Sequence, residues 1–485
     1  MDCASDRAGR RVGPAVSFPP RATRYRFPPL SATADLRIAI VGAGPSGLSL
    51  AWYLARLGCR AVEIFEASDD VGGQSHTVIV DGIPVELGTC YMADGYVIAR
   101  EIARTVGTPV DRLPPATFLD ANGRIVKPAM PSIGSMGRYV VEWFRWYFGG
   151  QLANPTKAEY TVAYDAWLKQ VGLNELAEST VFADGCTAQL YGPLDAVTAN
   201  NGLSWVRPSL LITGRFEHTA YVPDGYQTMW KRVVRHLGYP VHFGEAVQEV
   251  RPVEEGGATQ VEVIRGGKPF ERRFDHVIVA CPLDETAAHA GTALTHPLSR
   301  MLKEDFAPFD ATEVYSAVWR ASHWPLGAPS RCYLPACGTG ERGRLLTIRQ
   351  YGRTGEDWVG QLCAYAIDDK VPMHYEERLK ANRAAIVRDM EQIVGLKEVR
   401  ILDDKLWRYA VRYSPQQFQQ GLPAAIAARQ GTGHVWYTTG QFAHWDVDMI
   451  ANFNQALAWE FGGAAGLSLL DRLRIYRLRD LIKDL

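Results

Sequence analysis

The sequence has no C-x-x-C pair. Its eight cysteines, Cys3, Cys59, Cys90, Cys186, Cys281, Cys332, Cys337 and Cys363, lie scattered, which argues against a zinc ribbon, a redox dithiol or a disulfide framework and fits a reducing compartment. The eleven histidines include no H-E-x-x-H, and none stands with acidic residues at metal-ligand spacing, so no metal site is expected. No run reaches the roughly 18 apolar residues of a membrane-spanning helix; even Leu48 to Leu57 is broken by Arg56. Charge of one sign is also lacking. With 52 Lys and Arg against 53 Asp and Glu, the net charge of -1 supplies no global field toward nucleic acid or anionic lipid. These absences predict a soluble cytoplasmic protein, at most peripheral to a membrane, without a nucleic-acid partner.

What is present is ordinary globular composition, 47% hydrophobic and 22% charged over 485 residues, which excludes a wholly disordered chain. The length exceeds the roughly 250 to 300 residues that one core usually serves, so two lobes are expected. Residues 1–34 carry six arginines, five prolines and only two acids, Asp2 and Asp6, without periodicity. They read as a flexible arm. Arg and Ser with few acids also characterise organellar targeting segments, although Pro19, Pro20, Pro28 and Pro29 would interrupt an amphipathic helix there.

The character then changes. Leu36–Val41 is a short buried-strand run leading into Gly42-Ala-Gly44-Pro45-Ser46-Gly47, a helical stretch to Leu57 that Gly58 can end, and a second strand, Ala61–Phe65, closing at Glu66. A bare G-x-G-x-x-G is weak, but strand, glycine turn, helix, strand and an acid 19 residues after the last glycine is a strong dinucleotide signal. Gly42 makes the tight turn, Gly44 lets backbone approach a pyrophosphate, and Gly47 lets helix pack on strand. The helix N-terminus offers free N–H groups to the phosphates, and Glu66 can accept hydrogen bonds from a ribose diol. A second match, Gly338 to Gly343, precedes the strand-like Arg344–Gln350 and is assigned to a hairpin turn. One dinucleotide site is therefore expected.

Asp70 to Thr77, with Gly72, Gly73 and Gln74, resembles the second glycine motif of the flavin-containing amine oxidase superfamily. Val85–Thr89, with Gly88 and Thr89, is similar to the segment that runs beside the isoalloxazine in that family, and Glu245-Ala-Val247 to the one whose valine backbone pairs with adenine. Val435–Gln441, with Gly440 and Gln441, resembles the strand that ends at the ribityl chain, and Asp446–Phe461, with Asp448 and Met449, the helix whose start faces the flavin. The resemblance spans about residues 36 to 462, in the family's order. It implies FAD as cofactor and an α/β fold: a Rossmann-like FAD-binding lobe with an interleaved α+β substrate lobe. Residues 35–108, 215–294 and 425–465 would form the first, and 109–214 and 295–424 the second. Three departures matter. Gln74 stands where the superfamily usually has Arg, Gln441 where many members have Glu, and no lysine follows Val277–Pro282, although amine oxidases commonly have one there.

Within the superfamily the chain is most similar to the bacterial polyenoic fatty acid isomerase type, in Ser75-His76, Glu86–Gly88, Phe182–Trp205, Tyr221–Gln227 and Leu406–Ser414. That likeness implies hydride abstraction from a polyunsaturated fatty acid to flavin N5 and return to another carbon. A flavin amine or alcohol oxidase releasing hydrogen peroxide, or an FAD-dependent desaturase, is the alternative. The flavin carries the chemistry, so no catalytic side chain is assigned. Arg215 with Phe216 is the candidate anchor for a free fatty acid carboxylate, and Trp445 a candidate substrate contact. Residues 466–485, with Arg472, Arg474, Arg477, Arg479 and Lys483 among regularly spaced leucines, read as an amphipathic helix suited to peripheral membrane contact or to packing.

Overall fold

A computed structural model describes residues 35–93, 96–128, 130–151, 157–179, 182, 190–208, 219–252, 259–265, 268–283, 294–326, 331–367, 373–441 and 447–461. The arm 1–34, the segment 466–485, Arg215, Phe216 and Trp445 lie outside the described residues.

Five parallel strands form the first sheet, in the order Val435–Tyr437, His276–Val279, Arg37–Val41, Ala61–Glu66, Val241–Phe243. Ile38 to Val41 and His276 to Val279 are buried throughout, as strands covered on both faces require. The helix Pro45–Arg56 turns Leu48, Leu50, Ala51, Trp52 and Leu54 inward, and Gly58, at φ +83°, makes the left-handed exit. The first strand lies mid-sheet, with chain order running outward on either side. Its carboxyl end is therefore a topological switch point, where open α/β sheets bind ligands.

The second lobe is a seven-stranded sheet, ordered Arg400–Arg412, Asp310–Ala321, Asp357–Tyr365, Leu345–Thr354, Arg331–Tyr333, Thr117–Leu119, Ile125–Val126. One face carries Ala317, Trp319, Cys332, Ile348 and Leu362, clustered with Ile386 and Met390 from the helix beginning at Tyr375 and its continuation. Elsewhere Tyr139, Trp143, Trp146, Tyr164, Trp167 and Trp205 of the 109–214 segment make a separate helical core. The strands of the first sheet come from 35–108, 215–294 and 425–465, and those of the second from 109–214 and 295–424. The fold is α/β, with its lobes interleaved along the chain.

The Gly338–Gly343 match lies between the antiparallel strands Arg331–Tyr333 and Leu345–Thr354. It contains part of one short helical turn, Ala336–Thr339, so it is a strand-to-strand connection and no second nucleotide turn.

Candidate active site

The two glycine motifs converge. Gly42, at φ +111°, donates its N–H to the Phe65 carbonyl at 2.8 Å. A Cβ on Gly47 would stand 2.0 Å from the Gly42 carbonyl oxygen. The helix beginning at Pro45 has no side-chain cap, which leaves its first N–H groups for an anion. Glu66 braces the turn: Oε2 accepts from the Ala43 N–H at 2.8 Å, and Oε1 from the Ser68 N–H and hydroxyl at 2.9 and 2.8 Å. Gly72 donates its N–H to the Ala43 carbonyl at 2.9 Å, which lays the second loop on the first. A Cβ on Gly73 would come within 3.3 Å of the Gly44 Cα. The result is a cradle formed largely of backbone, as an extended pyrophosphate requires.

From this cradle the chain reaches Gly88 and Thr89. The Thr89 N–H bonds the Gln74 carbonyl at 2.9 Å, and the Gln74 side chain donates to the Arg408 carbonyl at 3.2 Å, linking the two lobes. Trp407 Nε1 donates to the Leu87 carbonyl at 2.8 Å. On the far side, Gln441 Oε1 accepts from the Leu283 N–H at 3.0 Å, while its Nε2 is buried without a partner among the described residues. An orphaned buried donor at the end of the Val435–Tyr437 strand fits an acceptor supplied by a bound group. Val247 pairs with Val263 just before a bulge, and Met449 lies in the first turn of the helix Val447–Phe461.

Asp448 has a further task. Its Oδ1 accepts from the Ile98 and Ala99 N–H groups at 2.7 and 2.8 Å, at the start of the helix Val97–Thr105, so any contact with the flavin falls to its other oxygen or its backbone. Asp448→Ala is expected to lower stability by about 2 kcal/mol, the upper range for an N-terminal cap. Urea denaturation of wild type and variant measures it.

The second sheet presents its other face to this region. Val318 and Val359 pack with Val80, Val85 and Leu87, and beside them Ser316, Thr347, Arg349, Gln361 and Cys363 lie on the same face by strand register. Burial pushes the Cys363 thiol up to about 11 and the Cys90 thiol, Tyr91 and Tyr351 well above their ordinary values. Yet Cys90, Tyr91, Tyr221, Tyr333 and Tyr351 all keep part of their surface accessible. Accessible surface on Cys90, Tyr91 and Tyr351, which are so strongly desolvated, lines an interior space, the usual form of a small-molecule site. Guanidiniums lie over the rings: Arg331 over Tyr91 and Tyr333, Arg349 over Tyr91, Tyr221 and Tyr351. Glu86, at the end of the strand Ile83–Glu86, accepts from the Tyr226 N–H at 2.8 Å and the Thr77 hydroxyl at 2.7 Å. Desolvation raises its pKa to about 7. Neither arginine was among the residues singled out from sequence. The available signal was a charged residue at inward positions of two strand patterns, Arg-Cys-Tyr and Thr-Ile-Arg-Gln-Tyr.

The sequence profile described as flavin containing amine oxidoreductase matches residues 45–421, well over half of the chain. The chain belongs to this family. Its cofactor is FAD, and it is an FAD-dependent enzyme. The chain is 21% identical over 335 residues to the polyenoic fatty acid isomerase of Ptilota filicina, covering 59% of this chain and 63% of the relative. It is 27% identical over 322 residues to a protein of Mycobacterium tuberculosis named as a candidate flavin-containing monoamine oxidase, covering 61% and 64%. The match thus spans just under two thirds of these relatives' own length. Among solved structures, a fatty acid isomerase from P. acnes that produces CLA superposes with a TM-score of 0.72 at 19% identity, over 88% of this chain and 99% of that one. Among the described residues, no cluster of His, Cys, Asp or Glu could hold a metal ion and no helix is long and apolar enough to cross a membrane. In the flavin lobe, Gly42, Gly44, Pro45, Ser46, Gly47, Gly72 and Gly73 would hold the pyrophosphate and Glu66 the ribose. Gln74, Gly88, Thr89, Gly440 and Gln441 would face the ring and its side chain.

Proposed function

We propose that this protein isomerises double bonds of free polyunsaturated fatty acids. The chemistry FAD supplies when bound is hydride abstraction from a doubly allylic carbon to N5 and its return to another carbon, with no net redox change. The residues around the flavin need only bind, orient and exclude water.

The observation that carries this reading is the charge of the interior space. An amine substrate enters as a cation and needs free aromatic faces or a free carboxylate. Here Arg331 and Arg349 already lie over the rings of Tyr91, Tyr221, Tyr333 and Tyr351, and Glu86 accepts from the Tyr226 N–H and the Thr77 hydroxyl. Such walls repel ammonium and favour an anion. The likeness to two fatty acid isomerases supports the same substrate class. Cytoplasmic location and peripheral membrane contact through residues 466–485 belong to this reading as routes of substrate delivery.

Incubation with linoleic or linolenic acid in air is expected to give conjugated-diene absorbance without stoichiometric peroxide. Putrescine and aromatic amines are expected to leave the flavin oxidised. Stoichiometric peroxide from an amine would establish the oxidase alternative instead.

A further inference from the structure

Arg331 and Arg349 stand directly opposite each other on neighbouring antiparallel strands, so both side chains leave the sheet on one face. They are 6% and 2% exposed. Neither has a carboxylate partner within ion-pair distance among the described residues, and the Nε of each is buried without an acceptor. Like charges directly opposite in a ladder are destabilising, and a buried charge is normally paired. Tyrosine rings account for part of the burial. Tyr91 lies 4.9 Å from the Arg331 guanidinium and 5.8 Å from that of Arg349, so one ring is shared by both. Tyr221 and Tyr351 lie 4.5 and 4.0 Å from Arg349, and its Nη1 donates to the Tyr351 hydroxyl at 3.1 Å. A ring face offsets only part of a buried positive charge. Glu86 does not make up the difference: its oxygens accept from the Tyr226 N–H and the Thr77 hydroxyl, and it forms no ion pair with Arg331 or Arg349 among the described residues.

Two forks of donors, fixed by the sheet, turned toward an interior space and lacking an anion, match the geometry of a carboxylate. We infer that Arg331 and Arg349 are the paired anchor for the carboxylate of the substrate, beside the chain segment Gly88–Tyr91. This deepens the reading of a fatty acid substrate and rests on it. It assigns the anchor to the second sheet instead of to Arg215.

The test uses FAD-loaded holoenzyme and stearate, a saturated acid that binds without reacting, so it stands even if isomerisation is not the reaction. Calorimetric titration is expected to detect stearate and not methyl stearate. Arg331→Gln and Arg349→Gln are each expected to weaken stearate binding by about 30-fold or more, the scale of truncating one partner of a buried charge pair. With a reacting acid, KM rises and kcat changes little, and the preference for acid over ester disappears. Because the substitutions relieve a buried like-charge pair, the ligand-free melting temperature should hold or rise. A purely structural arginine would lower it. The inference is overturned if the variants bind stearate as wild type does, if the wild type binds methyl stearate as tightly as stearate, if the variants lose FAD so that the pair serves the cofactor, or if Arg215→Gln alone abolishes stearate binding.

Discussion

Gly88→Ala is expected to yield a protein that retains little or no FAD. A Cβ at this position would stand 1.8 Å from the Gln74 carbonyl oxygen and 2.9 Å from its carbon. Both atoms are backbone, so the clash cannot be relieved by a rotamer change. The Gln74 carbonyl also receives the Thr89 N–H at 2.9 Å, so the displacement would separate the second glycine loop from the segment beside the flavin. Overpacking of this kind costs about 1 to 3 kcal/mol even where side chains can yield, and more is expected where backbone must move. Gly134 is the control. It lies in the helix Ile133–Trp146, where a Cβ meets nothing within 4 Å, and alanine there should stabilise the helix by up to about 1 kcal/mol. The flavin-to-protein absorbance ratio of the two purified variants, against one FAD per chain in the wild type, measures the difference.

The second large effect is in pH dependence. Glu86 is fully buried, and desolvation lifts its pKa from 4.5 to about 7 despite the Tyr226 N–H, the Thr77 hydroxyl and the attraction of Arg349. Between these two values the unfolded chain carries an ionised Glu86 and the folded protein a neutral one. The unfolded state therefore binds fewer protons, and stability falls as pH rises through that window. The penalty is fully developed above about pH 7 and absent below about pH 4.5. A shift of this size corresponds to about 3 kcal/mol. Glu86→Gln reproduces the neutral form: the amide oxygen can accept from the Tyr226 N–H, and the amide nitrogen can donate to the Thr77 oxygen. The variant should match the wild type at acid pH and exceed it by up to about 3 kcal/mol at pH 8. Denaturation midpoints across pH 4 to 8, on holoenzyme, check both the sign and the window. A variant less stable than wild type at pH 8 would mean that Glu86 is ionised in the folded state and that Arg349 outweighs desolvation.

The flavin lobe was legible in sequence because its chemistry is carried by backbone. Gly42, Gly47 and Gly88 are glycines for steric reasons that act within a few residues or across one adjacent strand, and such constraints leave a local signature. Glu66 was marked in the same way, through its spacing from the turn, and its carboxylate bonds Ala43 and Ser68. The interior face of the second sheet was not legible. Arg331 and Arg349 are 18 residues apart and become neighbours only through the register of two strands. Tyr91 and Tyr221 join them from the other lobe. Non-local contacts of this kind have no periodicity, and a lone arginine in a strand reads first as surface. Aromatic residues at helical spacing are usually core, and the run from Tyr139 to Phe148 follows that rule: Tyr139, Trp143 and Trp146 are hydrogen-bonded to Val206, Leu203 and Asn200 inside a helical core. Gln441 was marked as a departure from the family, and its buried Nε2 gives that departure a physical role: a neutral donor where many relatives carry an acid.

The most direct measurement of the central claim is strictly anaerobic turnover, with no electron acceptor, of linoleate deuterated at both positions of its doubly allylic carbon. Abstraction and return of the same hydride predicts many turnovers per FAD, a conjugated product isomeric with the substrate, and recovery of the abstracted deuterium on a new carbon. Turnover that stops after one equivalent per flavin, leaving the flavin bleached and a product two hydrogens lighter, would contradict isomerisation and establish a net oxidation.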